Sequence, residues 1–188
     1  MDIIEAIFTR RSIRKYQNRD VPPELIEKLL RAAMQAPSAR NAQPWEFILL
    51  EDRSLLAEIP KICPNAPMAP EAPLGILVCG NLDFEKSEGF WVIDCSAAIQ
   101  NMLLAAHGLA LGAVWCGIYP RQPRIEGIRQ LLGIPDRVIP HSLVLVGYPA
   151  ESPPSVDRYH PDRVYKNRWG NRDETLLLPK GPKGAAAE

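Results

Sequence analysis

The sequence lacks an excess of charge of either sign, since 22 lysines and arginines stand against 22 aspartates and glutamates. A neutral chain has no global field that would draw it to nucleic acid or to an anionic membrane surface. No apolar run reaches the roughly 18 residues of a membrane-spanning helix, because Gln100, Asn101 and His107 interrupt the longest candidate. Any anionic ligand must therefore be held by a local cluster of cations.

The spacings of metal, redox and phosphate-loop sites are also missing. The four cysteines form no Cys-x-x-Cys pair and the three histidines lie far apart, so zinc-type ligand spacing is absent. We expect free, buried thiols in a reducing cytoplasm, with a disulfide or redox pair as the less favoured alternative. Neither G-x-G-x-x-G nor G-K-[ST] occurs, which excludes the usual dinucleotide and P-loop cradles.

The first residues, MDIIEAIFTRR, carry charge inside an apolar stretch and no small-residue cleavage site. They predict no secretory signal and therefore a cytoplasmic protein. The low-complexity end, PKGPKGAAAE, predicts a disordered tail over 179–188. The remaining chain, 1–178, is of ordinary size for one domain.

Hydrophobic periodicity predicts helices and strands that are interspersed but irregularly connected, which favours a mixed α+β sandwich. Asp2 is a plausible N-cap of the first helix, Gly112 the C-cap of a central buried helix, and Gly133 the stop of a short one. The proline-rich segment before Leu74 predicts a surface loop. The helices are expected at Asp2 to about Thr9, from after Pro23 to before Ala36, at about Trp91–Leu111 and at Ile125–Leu132, and the strands at Glu46–Glu51, Leu74–Gly80, Ala113–Ile118 and Ser142–Val146.

Four cations and a hydroxyl lie within seven residues just after the first predicted helix, in Arg10-Arg11-Ser12-Ile13-Arg14-Lys15-Tyr16. Guanidinium groups bind phosphate through paired hydrogen bonds, and a nearby hydroxyl donates another. Basic runs are common at helix ends, so on charge alone a solvated turn is the stronger interpretation. The segment becomes a candidate phosphate site only with support from elsewhere.

A loop of small and amide side chains joins the second helix to the first strand, in APSARNAQPW at 36–45. Pro37 and Pro44 fix its backbone, and a rigid loop of this kind can press N–H and C=O groups onto a flat polar ring. An ordinary helix-to-strand connection explains the composition equally well.

Two later segments carry further candidates. Trp115-Cys116-Gly117-Ile118 ends a predicted strand, where glycine permits close approach of a ligand; the alternative is a plain strand terminus with Trp115 in the core. Lys166-Asn167-Arg168-Trp169-Gly170 is a second basic cluster, suited to clamping a phosphate from another side or simply solvated.

Taken in order, these segments resemble the nitroreductase family of flavoproteins. Its recurring marks are R-R-S-x-R, S-x-x-N-x-Q-P-W, a strand ending W-x-G and a late N-R-W, and all four occur here. The helix start Asp94–Asn101 is also similar, and the resemblance covers Ile3 to Trp169. It implies a three-layer α/β/α sandwich with a mixed, mainly antiparallel sheet, in an intertwined homodimer.

The same resemblance implies tightly bound FMN in two equivalent sites at the dimer interface. Arg10 and Ser12, with Lys166 and Arg168, would hold the phosphate, and Arg14 would lie near the pyrimidine edge. The partner subunit would supply the 37–41 loop, while the Gly117 and Ile118 N–H groups would address the flavin N5 and O4 region. The full implied set is Arg10, Arg11, Ser12, Arg14, Pro37, Ser38, Ala39, Asn41, Asn65, Trp115, Gly117, Ile118, Lys166 and Arg168.

The implied reaction is ping-pong transfer of hydride from NAD(P)H, through the flavin, to nitroaromatic, quinone or similar conjugated acceptors. The cofactor does the chemistry, so no catalytic side chain and no metal are expected. Two alternatives stay open: a non-enzymatic FMN-binding or regulatory protein, and a different flavin chemistry such as dehalogenation or flavin breakdown. The short Glu85–Phe90 link, where larger members carry an insertion, leaves the acceptor and the preferred nicotinamide undetermined.

Overall fold

The computed structural model describes residues 1–172 and residue 175, and the chain divides into two units. The first is Met1–Ser155 and the second begins at Val156. Each unit is described by itself below. The predicted disordered tail, 179–188, lies outside the described residues, and the single domain over 1–178 stays a prediction.

The described part of the first unit contains an antiparallel four-stranded sheet with the strand order β1-β2-β4-β3. The inner strands β2 and β4 are buried along nearly their whole length, so their apolar residues form continuous runs instead of alternating. An isolated parallel bridge joins Ser12 to Ala113 of β3. All three strand pairs of the sheet are antiparallel, so the prediction of a mainly antiparallel sheet is confirmed. The strands are β1 (Trp45–Leu50), β2 (Leu74–Asn81), β3 (Gly112–Gly117) and β4 (Val138–Gly147).

Helices cover both faces of the sheet, which gives the predicted three layers. α2 packs with α4 on one face, and α3 packs with α5 on the other. Leu29 and Met102 are fully buried in the first layer contact, as Leu56 and Ile128 are in the second. Burial of each such side chain contributes about 1.5–3 kcal/mol. The helices are α1 (Ile3–Thr9), α2 (Pro23–Met34), α3 (Arg53–Ile62), α4 (Trp91–Gly108) and α5 (Gln122–Leu132), with short 3-10 turns at Ala39–Asn41, Ala69–Glu71 and Pro161–Arg163.

The short helix α1 begins as predicted, because the Asp2 carboxylate accepts a hydrogen bond from the Ile4 N–H at 2.8 Å. Ala6 of this helix is buried, whereas its larger apolar side chains are not. Ile3 is 71 % exposed and Phe8 is 69 % exposed. An apolar face of this kind on a seven-residue helix is a surface that a partner would cover.

The prediction of a surface loop before Leu74 is confirmed only in part. Arg53–Ile62 forms α3, which begins because the Asp52 carboxylate accepts the Ser54 N–H at 2.8 Å, and Pro60 lies inside it near its end. The connection that follows lies at the surface with Pro64, Asn65, Pro67 and Pro70 exposed, but it also buries Cys63, Ala66, Ala69 and Ala72 in the second core. The proline spacing concealed both features, because small apolar residues between prolines pack without forming a regular element.

Gly112 does not cap α4, contrary to the expectation. The helix ends in a Schellman motif in which Ala110 takes a left-handed φ of 59° and the Leu111 N–H donates to the Ala106 carbonyl at 2.8 Å. Gly112 instead begins β3. The prediction for Gly133 is confirmed, since it ends α5 with a φ of 66°.

The second unit has little regular structure in its described residues. A turn is closed by a bridge between Tyr165 and Arg172 and by the Lys166 N–H, which donates to the Asn171 carbonyl at 2.7 Å. No residue between 156 and 172 is buried. This stretch therefore has no core of its own.

The described residues also show the state of the cysteines and which groups could hold a metal ion or span a membrane. The four cysteines are free and buried, as predicted. Among residues 1–172 and 175, no group of three or more His, Cys, Asp or Glu side chains is placed to hold a metal ion. No helix in this part of the chain is long and apolar enough to cross a membrane.

Candidate functional site

The basic segment that follows α1 lies along the edge strand β3. The Ile13 N–H donates to the Ala113 carbonyl at 3.0 Å, next to the parallel bridge between Ser12 and Ala113. Gly112 permits this approach, because a Cβ atom at that position would come within 2.6 Å of the Ile13 side chain. The missed role of Gly112 is therefore to bring the cations of residues 10–14 to the sheet.

Contacts with residues 148–151 fix the backbone of the basic segment. The Glu151 carboxylate accepts hydrogen bonds from the Arg14 and Lys15 N–H groups. The Ala150 N–H donates to the Lys15 carbonyl at 2.9 Å, and the Gln17 N–H donates to the Tyr148 carbonyl at the same distance. The Glu151 carboxylate bonds to backbone N–H groups and not to an arginine side chain. It therefore orders the segment whatever the positions of the guanidinium groups.

The cations of this segment act to lower the pKa of two neighbouring groups. Burial lowers the pKa of His107, and the positive charges of Arg10 and Arg11 lower it further. At the other end, burial raises the pKa of Cys116 to about 11, and Arg14 opposes that rise. The segment thus spreads positive charge along β3, from the carboxyl end of α4 to the strand's end.

Arg11 has a structural task in this arrangement. Its guanidinium donates to the carbonyls of Phe8 at 3.0 Å, Arg10 at 2.6 Å and Pro154 at 3.1 Å. Carbonyls at the end of a helix lack intrahelical partners, so Arg11 caps α1 and ties it to the chain near Pro154. The contact agrees with the alternative interpretation of this segment, a basic turn at the end of a helix.

The end of β3 is held from several sides at Gly117. The Gly117 carbonyl accepts hydrogen bonds from Asn65 Nδ2 at 3.3 Å and from Arg124 Nη1 at 2.9 Å. The Ile118 N–H, which the resemblance assigned to the flavin, donates instead to the His141 carbonyl at 3.1 Å, and the Ile118 side chain is buried. No described heavy atom lies within 4 Å of a Cβ built on Gly117, so this backbone has open space beside it.

Trp115 belongs to a buried polar network below this strand end. Its Nε1–H donates to Ser142 Oγ at 2.6 Å, Ser142 Oγ lies 3.0 Å from His141 Nδ1, and Ser96 Oγ lies 3.3 Å from His141 Nε2. Burial lowers the pKa of His141 to about 4. The imidazole is therefore neutral near pH 7, and it ties β4 to α4 behind the site.

The predicted ring-contact loop has a strained backbone. Arg40, Asn41 and Gln43 have φ values of 53°, 53° and 50°. Each such left-handed residue other than glycine costs roughly 1–2 kcal/mol, so the conformation persists only where surrounding contacts enforce it. Ser38 Oγ accepts the Gln43 N–H at 3.0 Å, and Asn41 Oδ1 accepts from Gln43 Nε2 at 2.9 Å.

Contacts from α4 and from the preceding link complete the support of this loop. The buried Asp94 carboxylate accepts the Ala39 N–H at 2.9 Å. Arg40 donates to the Lys86 carbonyl at 3.1 Å, and Lys86 Nζ donates to the Asn41 carbonyl at 3.3 Å. Within the described contacts, the loop is bound to α4 and the link and not to β3.

The structure thus brings together one part of the predicted set. Arg10, Ser12 and Arg14 lie with Trp115, Gly117, Ile118 and Asn65 along the β3 edge. Pro37, Ser38, Ala39 and Asn41 form a separate loop near the start of α4. Lys166 and Arg168 lie in the turn of the second unit.

Sequence reasoning missed four residues that support the site. Asp94 carried a signal, since a carboxylate in the first turn of a mostly apolar helix has to find a partner. Glu151, Arg124 and His141 carried none, because each acts on a backbone or side-chain group that only the folded chain brings near.

Comparison with known proteins agrees with this fold and these motifs. The sequence profile of the nitroreductase family matches residues 7–82 and 63–148. A protein of Methanothermobacter thermautotrophicus, described as a candidate NADH dehydrogenase/NAD(P)H nitroreductase, is 54% identical over 169 residues, covering 90% of this chain and 88% of that protein.

Solved structures are similar over nearly the whole chain. A candidate NADH dehydrogenase/NAD(P)H nitroreductase from Parabacteroides distasonis has a TM-score of 0.86 and 42% identity, covering 89% of this chain and 98% of its own. A candidate nitroreductase from Desulfovibrio desulfuricans, solved in complex with FMN, has a TM-score of 0.78 and 30% identity, covering 90% and 98%. The chain belongs to the nitroreductase family.

Proposed function

We propose that this protein is an FMN-dependent oxidoreductase that takes hydride from NAD(P)H and passes it to nitroaromatic, quinone or similar conjugated acceptors. The observation that carries the proposal is the basic segment laid along β3, with open backbone at Gly117 near its end. The names of similar proteins support it, since one is described as a candidate NADH dehydrogenase/NAD(P)H nitroreductase and another candidate nitroreductase was solved with FMN.

The phosphate of FMN fits the first part of this edge. A phosphate needs several cations and hydroxyls in a fixed arrangement, because charge-assisted hydrogen bonds are short and directional. Arg10 and Ser12 lie on a backbone that the bridge to Ala113 holds in place, and the chain has no net charge that would substitute for them. In this proposal Arg10 and Ser12 bind the phosphate, and Lys166 and Arg168 are further phosphate ligands.

The isoalloxazine ring fits the second part. Gly117 offers open space beside a fixed backbone, and Asn65 lies against its carbonyl with its amide directed there. Arg14 follows Ser12, whose bridge to Ala113 holds this segment beside β3, and its charge opposes the rise in the pKa of Cys116. A positive charge beside the pyrimidine edge of a flavin favours acceptance of electrons. FMN supplies the redox chemistry, and the chain's residues bind it, orient it and set its electrostatic surroundings.

We propose a homodimer in which the 37–41 loop of a second copy covers the ring. The exposed apolar face of α1 and the absence of buried residues over 156–172 support an assembly that buries more than the single chain does. The strained 37–41 loop also supports a homodimer. Its conformation is fixed by contacts with α4 and not with β3, so we propose that it covers the ring site of a second copy and not of its own chain.

Absorbance spectroscopy tests the proposed function directly. The purified protein should show visible flavin bands that bleach on anaerobic addition of NADH or NADPH and return on addition of nitrofurazone or menadione. Flavin bands that persist after both nicotinamides would favour a non-enzymatic FMN-binding protein. A colourless protein that takes up no added FMN would contradict the proposal.

A further inference from the structure

We propose that Arg124, together with Asn65, is a positioning residue that fixes the Gly117–Ile118 peptide for the cofactor. The inference rests on the proposed function for its consequence, but its structural part concerns the chain alone. It assigns Arg124 a task that its position in the sequence does not reveal.

Both ends of this peptide are held. Its carbonyl, from Gly117, accepts two hydrogen bonds, one from Arg124 Nη1 at 2.9 Å and one from Asn65 Nδ2 at 3.3 Å. Its N–H, from Ile118, donates to the His141 carbonyl at 3.1 Å. Since a peptide unit is planar, fixing its oxygen and its nitrogen fixes its orientation.

Gly117 needs such support more than another residue would. Glycine has the widest conformational freedom and loses the most entropy when it is ordered. The open space beside it is what a flat ring would use, but the same space leaves the backbone without side-chain packing on that side. The two hydrogen bonds to the carbonyl compensate for that missing packing.

The position of Arg124 in α5 is otherwise unfavourable. It lies in the first turn of the helix, where the helix dipole disfavours a cation. The Gly117 carbonyl accepts its hydrogen bond and stabilises the charge there. The positive charge of Arg124 also opposes the rise that burial causes in the pKa of the Cys63 thiol.

Close packing of α5 on α3 sets the two donors in register. A Cβ atom on Gly127 would come within 2.5 Å of the Ile62 side chain, so the helices approach closely at this point. Asn65 follows the end of α3, and Arg124 lies at the beginning of α5. The glycine contact therefore places both side chains against one carbonyl.

Hydrogen exchange of the protein without FMN, combined with FMN titration, tests the inference. We compare Arg124→Gln, Arg124→Lys and, as a matched control, Arg121→Gln, which removes an exposed cation from the N-cap of the same helix. Arg124→Gln should speed exchange of the Ile118 and Tyr119 amides about tenfold and weaken FMN binding about tenfold, the scale of one lost charged hydrogen bond.

Arg124→Lys, which keeps the charge and one donor, should recover part of both effects, and Arg121→Gln should behave as the wild type. A merely structural role predicts equally faster exchange at Leu77, in the sheet centre, and that result would overturn the proposal. Unchanged exchange and FMN affinity in Arg124→Gln would also overturn it.

If Arg124→Gln fails to fold, Asn65→Ala takes its place, and exchange of the Ile118 and Tyr119 amides in the FMN-free protein decides; it should speed up by less than tenfold, because the lost donor is uncharged. A wild-type protein that takes up no FMN would overturn the proposed function instead. The exchange rates at Ile118 and Tyr119 would still decide the structural part of the inference, so the two failures are distinguishable.

Discussion

The Asp94 carboxylate, buried in the first turn of α4, accepts a hydrogen bond from the Ala39 backbone N–H across 2.9 Å. The two residues are 55 positions apart, so this contact joins the central helix to the strained loop. The start of a helix also favours a negative charge, which makes Asp94 a stable anchor there. The loop's left-handed residues depend on anchors of this kind.

Replacing Asp94 by alanine should therefore release the loop. We expect a loss of about 1–3 kcal/mol in the free energy of unfolding, because the Ala39 N–H loses its partner. Urea denaturation measures this change. Asp94→Asn, which keeps an acceptor oxygen but no charge, is the matched variant and should lose less; equal losses in the two variants would assign the effect to charge and not to the hydrogen bond.

A second prediction concerns the proposed phosphate ligands. Arg10→Ala and Arg168→Ala should each weaken FMN binding by about 2–4 kcal/mol at most, the range for a charge-assisted pair lost from a partly buried site. Fluorescence titration of the FMN-free protein measures the affinity. Arg53→Ala, at the exposed start of α3, is the control and should bind FMN as the wild type does. Unchanged affinity in both test variants would remove the site assignment.

The third prediction concerns assembly through α1. Phe8→Glu places a charge on a side chain that is 69 % exposed in the single chain. If this face is covered in a homodimer, the buried carboxylate should shift the equilibrium strongly towards monomer. Sedimentation velocity at several protein concentrations measures the monomer–dimer equilibrium. Lys28→Glu, at an exposed position of α2, is the control. A wild-type chain that is a stable monomer and still holds FMN would contradict the shared-site proposal.

Local signals in the sequence predicted most of the elements. Asp2 begins α1 and Gly133 ends α5 because a cap is decided by the few residues around it. The pattern conceals α3, because Pro60 lies within its last turn and proline ordinarily disfavours a helix interior. The prediction for Gly112 is wrong because two tasks for glycine, ending a helix and permitting close packing, look the same in sequence.

The candidate site divides in the same way. Short motifs identified the segments at Arg10–Tyr16 and around Gly117, because the residues proposed to touch a ligand are grouped within a few positions. The residues that hold those segments were not predicted. Arg124 and Asp94 act on backbone groups of other elements, and such pairs exist only once helices and strands have packed.

The last prediction is a pH dependence of stability caused by His141. Burial lowers the pKa of His141 from 6.5 to about 4, so the unfolded chain binds a proton more readily than the folded chain between those values. The free energy of unfolding should therefore fall as the pH falls from about 6.5 to about 4, by on the order of 3 kcal/mol in total from this group. Above about pH 6.5 both states are neutral at this side chain and its contribution is constant.

Urea denaturation at pH 7.5, 6 and 5 measures this dependence, and His141→Gln should flatten it. The pKa of His107 is also lowered, so some dependence should remain in that variant. The exposed His160 gives the control, His160→Gln, whose stability should follow the wild-type pH dependence. If His141→Gln instead kept the full wild-type slope, His141 would have the same pKa in the folded and the unfolded chain, and another group would take up the proton on unfolding.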